Sequence, residues 1–250
     1  MKKLFPIFLL GAGVVFLIVT FVVISGKDKN GQGVEIEEKI ADIPLEQRPF
    51  TSLTPSEDGH WLKLRIEEPQ KVTGAKSLDY EILYKVADGR VQGVPGTVSF
   101  KGEKIIERDI LLGSESSGKF RYDEGVREGT LTLRFRNEKG KLVGKLSTDF
   151  HLQVEDEILT SLDKEFSYKL DKAVKKVFFV TMKTFGVPGK FEGIFSKGPY
   201  GVFSSSKGKV AGKVEKIDSV YWWSGSEWRM LEEGNASDVG VFVGTSDITE

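Results

Sequence analysis

The sequence predicts an all-β body behind one N-terminal transmembrane helix, and three observations predict it. A 22-residue run without a charge, "LFPIFLLGAGVVFLIVTFVVIS" from Leu4 to Ser25, follows Lys2 and Lys3. From about Pro49 onward, apolar residues recur at a period of two rather than 3.6. Glycine-containing turn signals interrupt these short runs at intervals of roughly 8–12 residues, with no amphipathic helical pattern between them.

Residues 1–25 read as a signal-anchor, because roughly 20 apolar residues span a hydrocarbon core whereas a cleaved signal peptide has an apolar core of about 7–15. Lys2 and Lys3 on one side are nearly matched by Lys27 and Lys29 on the other. The short basic head still favours a cytoplasmic N-terminus and an extracytoplasmic body at the cell membrane. Residues 26–45 are glycine-rich and charged without a sustained apolar face, and read as a juxtamembrane linker.

In "SLDYEILYKV", Leu78, Tyr80, Ile82, Tyr84 and Val86 share one strand face, opposite Asp79, Glu81 and Lys85. Leu62, Leu64 and Ile66 alternate in "WLKLRIE", and Val98 and Phe100 in "TVSFK". Leu131, Leu133 and Phe135 alternate in "TLTLRFR", and after a turn at Asn137–Gly140 the pattern resumes through Leu146, Phe150, Leu152 and Val154. Six or seven such strands predict an antiparallel sandwich of the immunoglobulin or fibronectin-III kind over 46–155.

The segments "PLEQRPFTSLTPSEDGHWLKLRIE", "GVPGTVSF" and "EGVREGTLTLRFR" resemble an uncharacterised bacterial family of single-pass membrane-anchored proteins with an immunoglobulin-like domain. The resemblance covers about residues 44–155 and implies no activity. Some members of that family carry cysteines flanking the Ser-Ser-Gly at positions that would match Glu115 and Phe120; this chain has neither, so the resemblance brings no disulfide.

The alternation breaks at the acidic stretch 156–163, expected to be a junction, and a second β-rich domain is expected over 164–250. "GVPG" occurs at Gly93–Gly96 and Gly186–Gly189, and "SESSGKF" is echoed by "SSSKGKV", at offsets of 93 and 90 residues. A diverged duplication of the sandwich is one reading, and chance recurrence of turn sequences is the other.

Composition excludes several chemistries. With 36 basic and 37 acidic side chains, no strongly basic face is available for nucleic acid. The absence of cysteine removes disulfides, thiolate metal sites and cysteine nucleophiles. Two histidines and no calcium-loop pattern offer no metal centre, and no cofactor is expected.

"LLGSESSGKF" has the G-x-x-x-x-G-K spacing of a phosphate loop, but Lys119 is followed by Phe120 rather than Ser or Thr, Glu115 is negative, and no helix follows. A polar hairpin loop joining "IIERDILL" to "KFRY" is expected instead. In "STDFH", Ser147, Asp149 and His151 share a strand face, which sets Ser147 and His151 about 13 Å apart at roughly 6.6–6.8 Å per two residues, whereas proton transfer needs about 3 Å. Paired carboxylates of a hydrolase stay open as a third reading, without nominated residues.

The candidate binding residues are Tyr221, Trp222, Trp223 and Trp228 in "YWWSGSEW", an aromatic hairpin around a Ser-Gly-Ser turn. Strand alternation sends Trp222 and Trp223 to opposite faces, so one of them faces away from the core unless another element covers it. Core filling is the competing role, since residues 160–250 hold 14 of the chain's 27 aromatics. "NAS" at Asn235–Ser237 matches a glycosylation sequon, a short pattern with a high chance rate. The expectation is a membrane-anchored, non-catalytic interaction, adhesion or scaffold protein of the cell envelope. A carbohydrate- or envelope-polymer-binding module is the alternative.

Overall fold

The short alternating runs become strands in a computed structural model of the protein, which describes residues 42–246. The expected anchor at 4–25 and most of the linker lie outside the described residues. Among the described residues no helix is long and apolar enough to cross a membrane, and the only helical elements are two three-residue 3-10 turns.

The strands in chain order are β1 (Phe50–Pro55), β2 (Trp61–Glu67), β3 (Ser77–Lys85), β4 (Val91–Ser99), β5 (Ile105–Leu111) and β6 (Gly113–Ser116). There follow β7 (Lys119–Tyr122), β8 (Glu128–Arg136), β9 (Leu142–Val154), β10 (Ile158–Thr160), β11 (Ser167–Leu170) and β12 (Phe178–Lys183). The last are β13 (Phe195–Ser204), β14 (Gly212–Glu215), β15 (Val220–Trp223), β16 (Trp228–Met230), β17 (Asn235–Ala236) and β18 (Val241–Thr245). One nine-stranded sheet has the order β16-β15-β18-β13-β12-β9-β8-β3-β4. Two smaller sheets, β1-β2-β5 and β10-β11-β14-β17, pack on it, and β6-β7 forms a separate hairpin.

Two hydrophobic cores result, on opposite faces of the large sheet. Leu53, Leu62, Leu64 and Ile66 of the three-stranded sheet close over Leu78, Ile82, Leu131, Leu133, Phe150, Val180 and Met182. Leu159, Tyr168 and Val214 of the four-stranded sheet close over Phe179, Val202, Trp222 and Phe242. Phe179 and Val180 are neighbours on β12 yet belong to different cores, because successive side chains point to opposite faces. Phe179, Val180, Thr181 and Met182 are accordingly all buried, the near-continuous apolar run expected of a strand covered on both sides.

The body is therefore all-β and built as sandwiches, but its two halves share one sheet and the described residues form one compact unit. Where the sequence suggests a junction at 156–163, Glu155 turns the chain at φ 61 and β10 starts the smaller sheet of the second core. The break in alternation marks a change of sheet. The repeated tetrapeptides do not repeat a structure: Gly93–Gly96 lies within β4, whereas Gly186–Gly189 lies in the loop between β12 and β13.

The face of β3, β8 and β9 opposite the first core is polar and cross-linked. Arg136 donates to Asp79 at 2.6 Å and Arg134 to Glu81 at 3.0 Å. Thr130 donates to Asp149 at 2.7 Å, and the Thr132 and Ser147 hydroxyls are 3.1 Å apart. His151 Nδ1 lies 2.9 Å from the Thr160 carbonyl, so it carries the proton there. Ser147, Asp149 and His151 share the face that alternation assigns them, each with a different partner.

In the second core the Tyr200 hydroxyl donates to Asp163 at 2.8 Å, and Ser161 donates to the other carboxylate oxygen at 2.5 Å. Partial burial pushes the Asp163 carboxyl up. The bonds from Ser161, the Glu165 amide and Tyr200, with Lys183 nearby, outweigh burial and hold it below its ordinary 3.8. A carboxyl depressed in the folded state stabilises the fold above its unfolded value and loses that contribution as pH falls through the folded value. Asp163→Asn is therefore expected to flatten the acid limb of stability below about pH 4; thermal midpoints between neutral and strongly acidic pH check this, and parallel limbs for both proteins would contradict it.

Candidate functional site

The hairpin of β15 and β16 closes one edge of the large sheet, and its register decides which aromatics are available. Trp223 pairs with Trp228 and Tyr221 with Met230. Directly paired residues share a face, so Tyr221, Trp223, Trp228 and Met230 point one way while Val220 and Trp222 point the other. Trp222 is 8% exposed and belongs to the second core. Of the four candidate residues, Trp222 is structural, and Tyr221, Trp223 and Trp228 are half-buried on the opposite face.

The loop from Gly186 to Ile194 folds across that face. The Trp228 indole Nε1 donates to the Pro188 carbonyl at 3.2 Å, which fixes the ring's orientation. Gly189, at φ 63, passes under Trp223 so closely that a Cβ there would lie 2.6 Å from Cη2, and no other residue combines that conformation with that clearance. Phe191 meets Tyr221 edge-on at 5.5 Å and Trp228 edge-on at 5.1 Å, and is tilted 32° to Phe195 at 5.0 Å. Edge-to-face contacts of this kind brace aromatic rings in defined orientations.

The result is a shallow concavity of about 540 Å³, with Tyr221, Trp223 and Trp228 as floor, residues 189–192 as wall and Ser226–Glu227 as rim. Its charges cancel locally: Lys190 pairs with Glu192 at 2.6 Å and Arg229 with Glu227 at 2.5 Å. The Lys190 ammonium beside Glu192 holds that carboxyl below its ordinary value. Such a site offers apolar ring surface, carboxylate and hydroxyl acceptors and an ammonium donor, the ingredients of a small specific binding surface.

Sequence reasoning missed the wall. Phe191 sits in "GVPGKFEG", a glycine-rich loop between two strands, and an aromatic placed in a loop has no strand face to bury it. That signal could have pointed to Phe191, Lys190 and Glu192.

A second aromatic group lies on the β6-β7 hairpin, the "LLGSESSGKF" stretch. Ser117 and Gly118 turn the chain with φ 52 and 74, the left-handed pair of a tight hairpin turn, and residues 113–116 are a strand rather than part of a loop. An antiparallel strand follows where a phosphate loop requires a helix. His60 stacks on Tyr122 at 4.1 Å and Trp61 meets Phe120 edge-on at 5.5 Å, so these rings hold a two-stranded hairpin that would be marginal alone. Glu115 and Phe120 stand directly opposite each other in this hairpin.

Among the described residues no cluster of histidine and acidic side chains could hold a metal ion. No protein-family model and no curated protein matches the chain.

Proposed function

We propose that this chain is a non-catalytic binding protein of the cell envelope, held at the membrane by residues 4–25 and displaying its β body on the extracytoplasmic side. The observation that carries the proposal is the braced aromatic concavity: Trp223 and Trp228 lie on the face of the large sheet opposite the second core and belong to neither core, in orientations set before any ligand arrives. Preorganised aromatics are the anchors of recognition surfaces. Membrane and envelope placement rests on the apolar run at Leu4–Ser25 and on the resemblance over 44–155.

The nearest carboxylates support binding over hydrolysis. Glu192 and Glu227 are each ion-paired, and the depressed Glu192 carboxyl is suited to accepting hydrogen bonds, whereas a general acid needs a raised value. The full chain in detergent micelles is expected to co-sediment with purified envelope fragments of its host. The Trp223→Ala, Trp228→Ala double variant is expected to stay in the supernatant with its β circular-dichroism signature intact. Equal sedimentation of the two proteins would remove this face from the function.

A further inference from the structure

We infer that the concavity takes an uncharged, hydroxyl-rich polysaccharide and grips an internal segment of it; this rests on the concavity being the binding site. Three features select that ligand. First, ring faces and hydrogen-bonding groups alternate within one small surface. Tyr221, Trp223 and Trp228 form the floor, while Glu192, Glu227, Ser226 and Lys190 stand at its margin. A pyranose ring presents an apolar C–H face bounded by hydroxyls, which is the complementary pattern. The C–H face lies on an aromatic ring, and the hydroxyls donate to the carboxylates and accept from the ammonium.

Second, the margin has no net charge, because Lys190 is paired with Glu192 and Arg229 with Glu227. A polyanion such as a phosphate-linked or uronic acid polymer meets as much repulsion as attraction there, and a basic peptide gains nothing over a neutral one. Third, β16 is the last strand of the sheet, so the hairpin side of the concavity is not walled by a further strand. A polymer can enter and leave past β16, and only a few of its units need contact the rings. The rim side chains of Glu192 and Glu227 are 76% and 59% exposed, so they are free to exchange their ion pairs for sugar hydroxyls.

The test uses the full chain in detergent micelles, applied to beads of uncharged polysaccharides (cellulose, mannan and β-1,3-glucan) and to polygalacturonate as an anionic polymer. Retention on at least one uncharged polysaccharide is expected, insensitive to added salt because no ion pair with the ligand is involved. Trp228→Ala is expected to weaken it roughly tenfold or more, the effect of losing an anchoring aromatic. Trp228→Phe keeps a ring and is expected to retain most of the binding, which separates loss of stacking from loss of folding. The exposed double variant Glu192→Gln, Glu227→Gln, which leaves the core untouched, is expected to weaken retention severalfold. Phe120→Ala on the distant hairpin is expected to change nothing.

Trp228-dependent envelope binding without retention on any uncharged polysaccharide would assign the site to a protein partner, overturning this inference while leaving the binding function standing. Retention confined to polygalacturonate and abolished by salt would overturn it as well. Failure of both bead and envelope binding would overturn both readings together.

Discussion

Replacing Phe179 by alanine is expected to cost about 3–5 kcal/mol and to lower one unfolding transition of the whole body rather than one of two. The magnitude follows from burial: Phe179 is 1% exposed, and truncating a buried phenylalanine loses both transfer free energy and the packing around the cavity. The single transition follows from β12. Its neighbours are β9 of the first half and β13 of the second, and its two faces belong to the two cores. Val180→Ala, one residue along and on the opposite face, is expected to cost about 2 kcal/mol and to lower that same transition. Denaturant curves followed by tryptophan fluorescence and far-ultraviolet circular dichroism check this, since all four tryptophans but Trp61 lie in the second half. If Phe179→Ala shifted fluorescence and left a second dichroism transition in place, the two halves would be separate folding units.

How far this was legible in the sequence depends on the period of each segment. Where one face is solvated, as in β3 and β9, alternation is clean and the strands stand where the pattern puts them; β9 occupies the run "LVGKLSTDFHLQV". Where both faces are buried, alternation disappears. "VFFVTM" then reads as a short apolar run with no indication that its two faces serve different cores. The same loss of signal hid the shared sheet, because an acidic turn followed by a short strand looks like a boundary when the strand before it seems to end a domain.

The candidate site was legible to the same degree. Alternation alone separates Trp222 from Trp223, and the structure assigns the first to the core. The edge contacts of Phe191 and the bond from Trp228 to Pro188 join segments 37 and 40 residues apart in sequence. No local pattern encodes that fold-back, so the wall of the concavity emerges only with the tertiary structure.

The other edge of the large sheet yields the second large expected effect. β4 is a nine-residue edge strand, "VQGVPGTVS", without a single charge, and Val91 is 60% exposed. Just beyond its two ends, the Val86 amide donates to the Arg90 carbonyl and the Phe100 amide to the Lys76 carbonyl. Even-numbered residues of this segment therefore bond to β3, and by alternation the N–H and C=O groups of residues 91, 93, 95, 97 and 99 point to the open edge. Pro95 stands at the middle of that row and supplies no donor, and its ring occupies the space where a partner carbonyl would approach. Proline on an edge strand is a known device against pairing with another chain. Pro95→Thr restores the row; in a two-fold antiparallel pairing centred on residue 95 it regains two hydrogen bonds, about 1–3 kcal/mol of association free energy. The variant is expected to show a mass that rises towards twice the parent's with concentration in light scattering. Adding Val91→Lys, which places a charge on the same edge, is expected to return it to the parent's behaviour. Identical masses for parent and Pro95→Thr across the accessible concentrations would mean that something other than Pro95 keeps this edge from pairing.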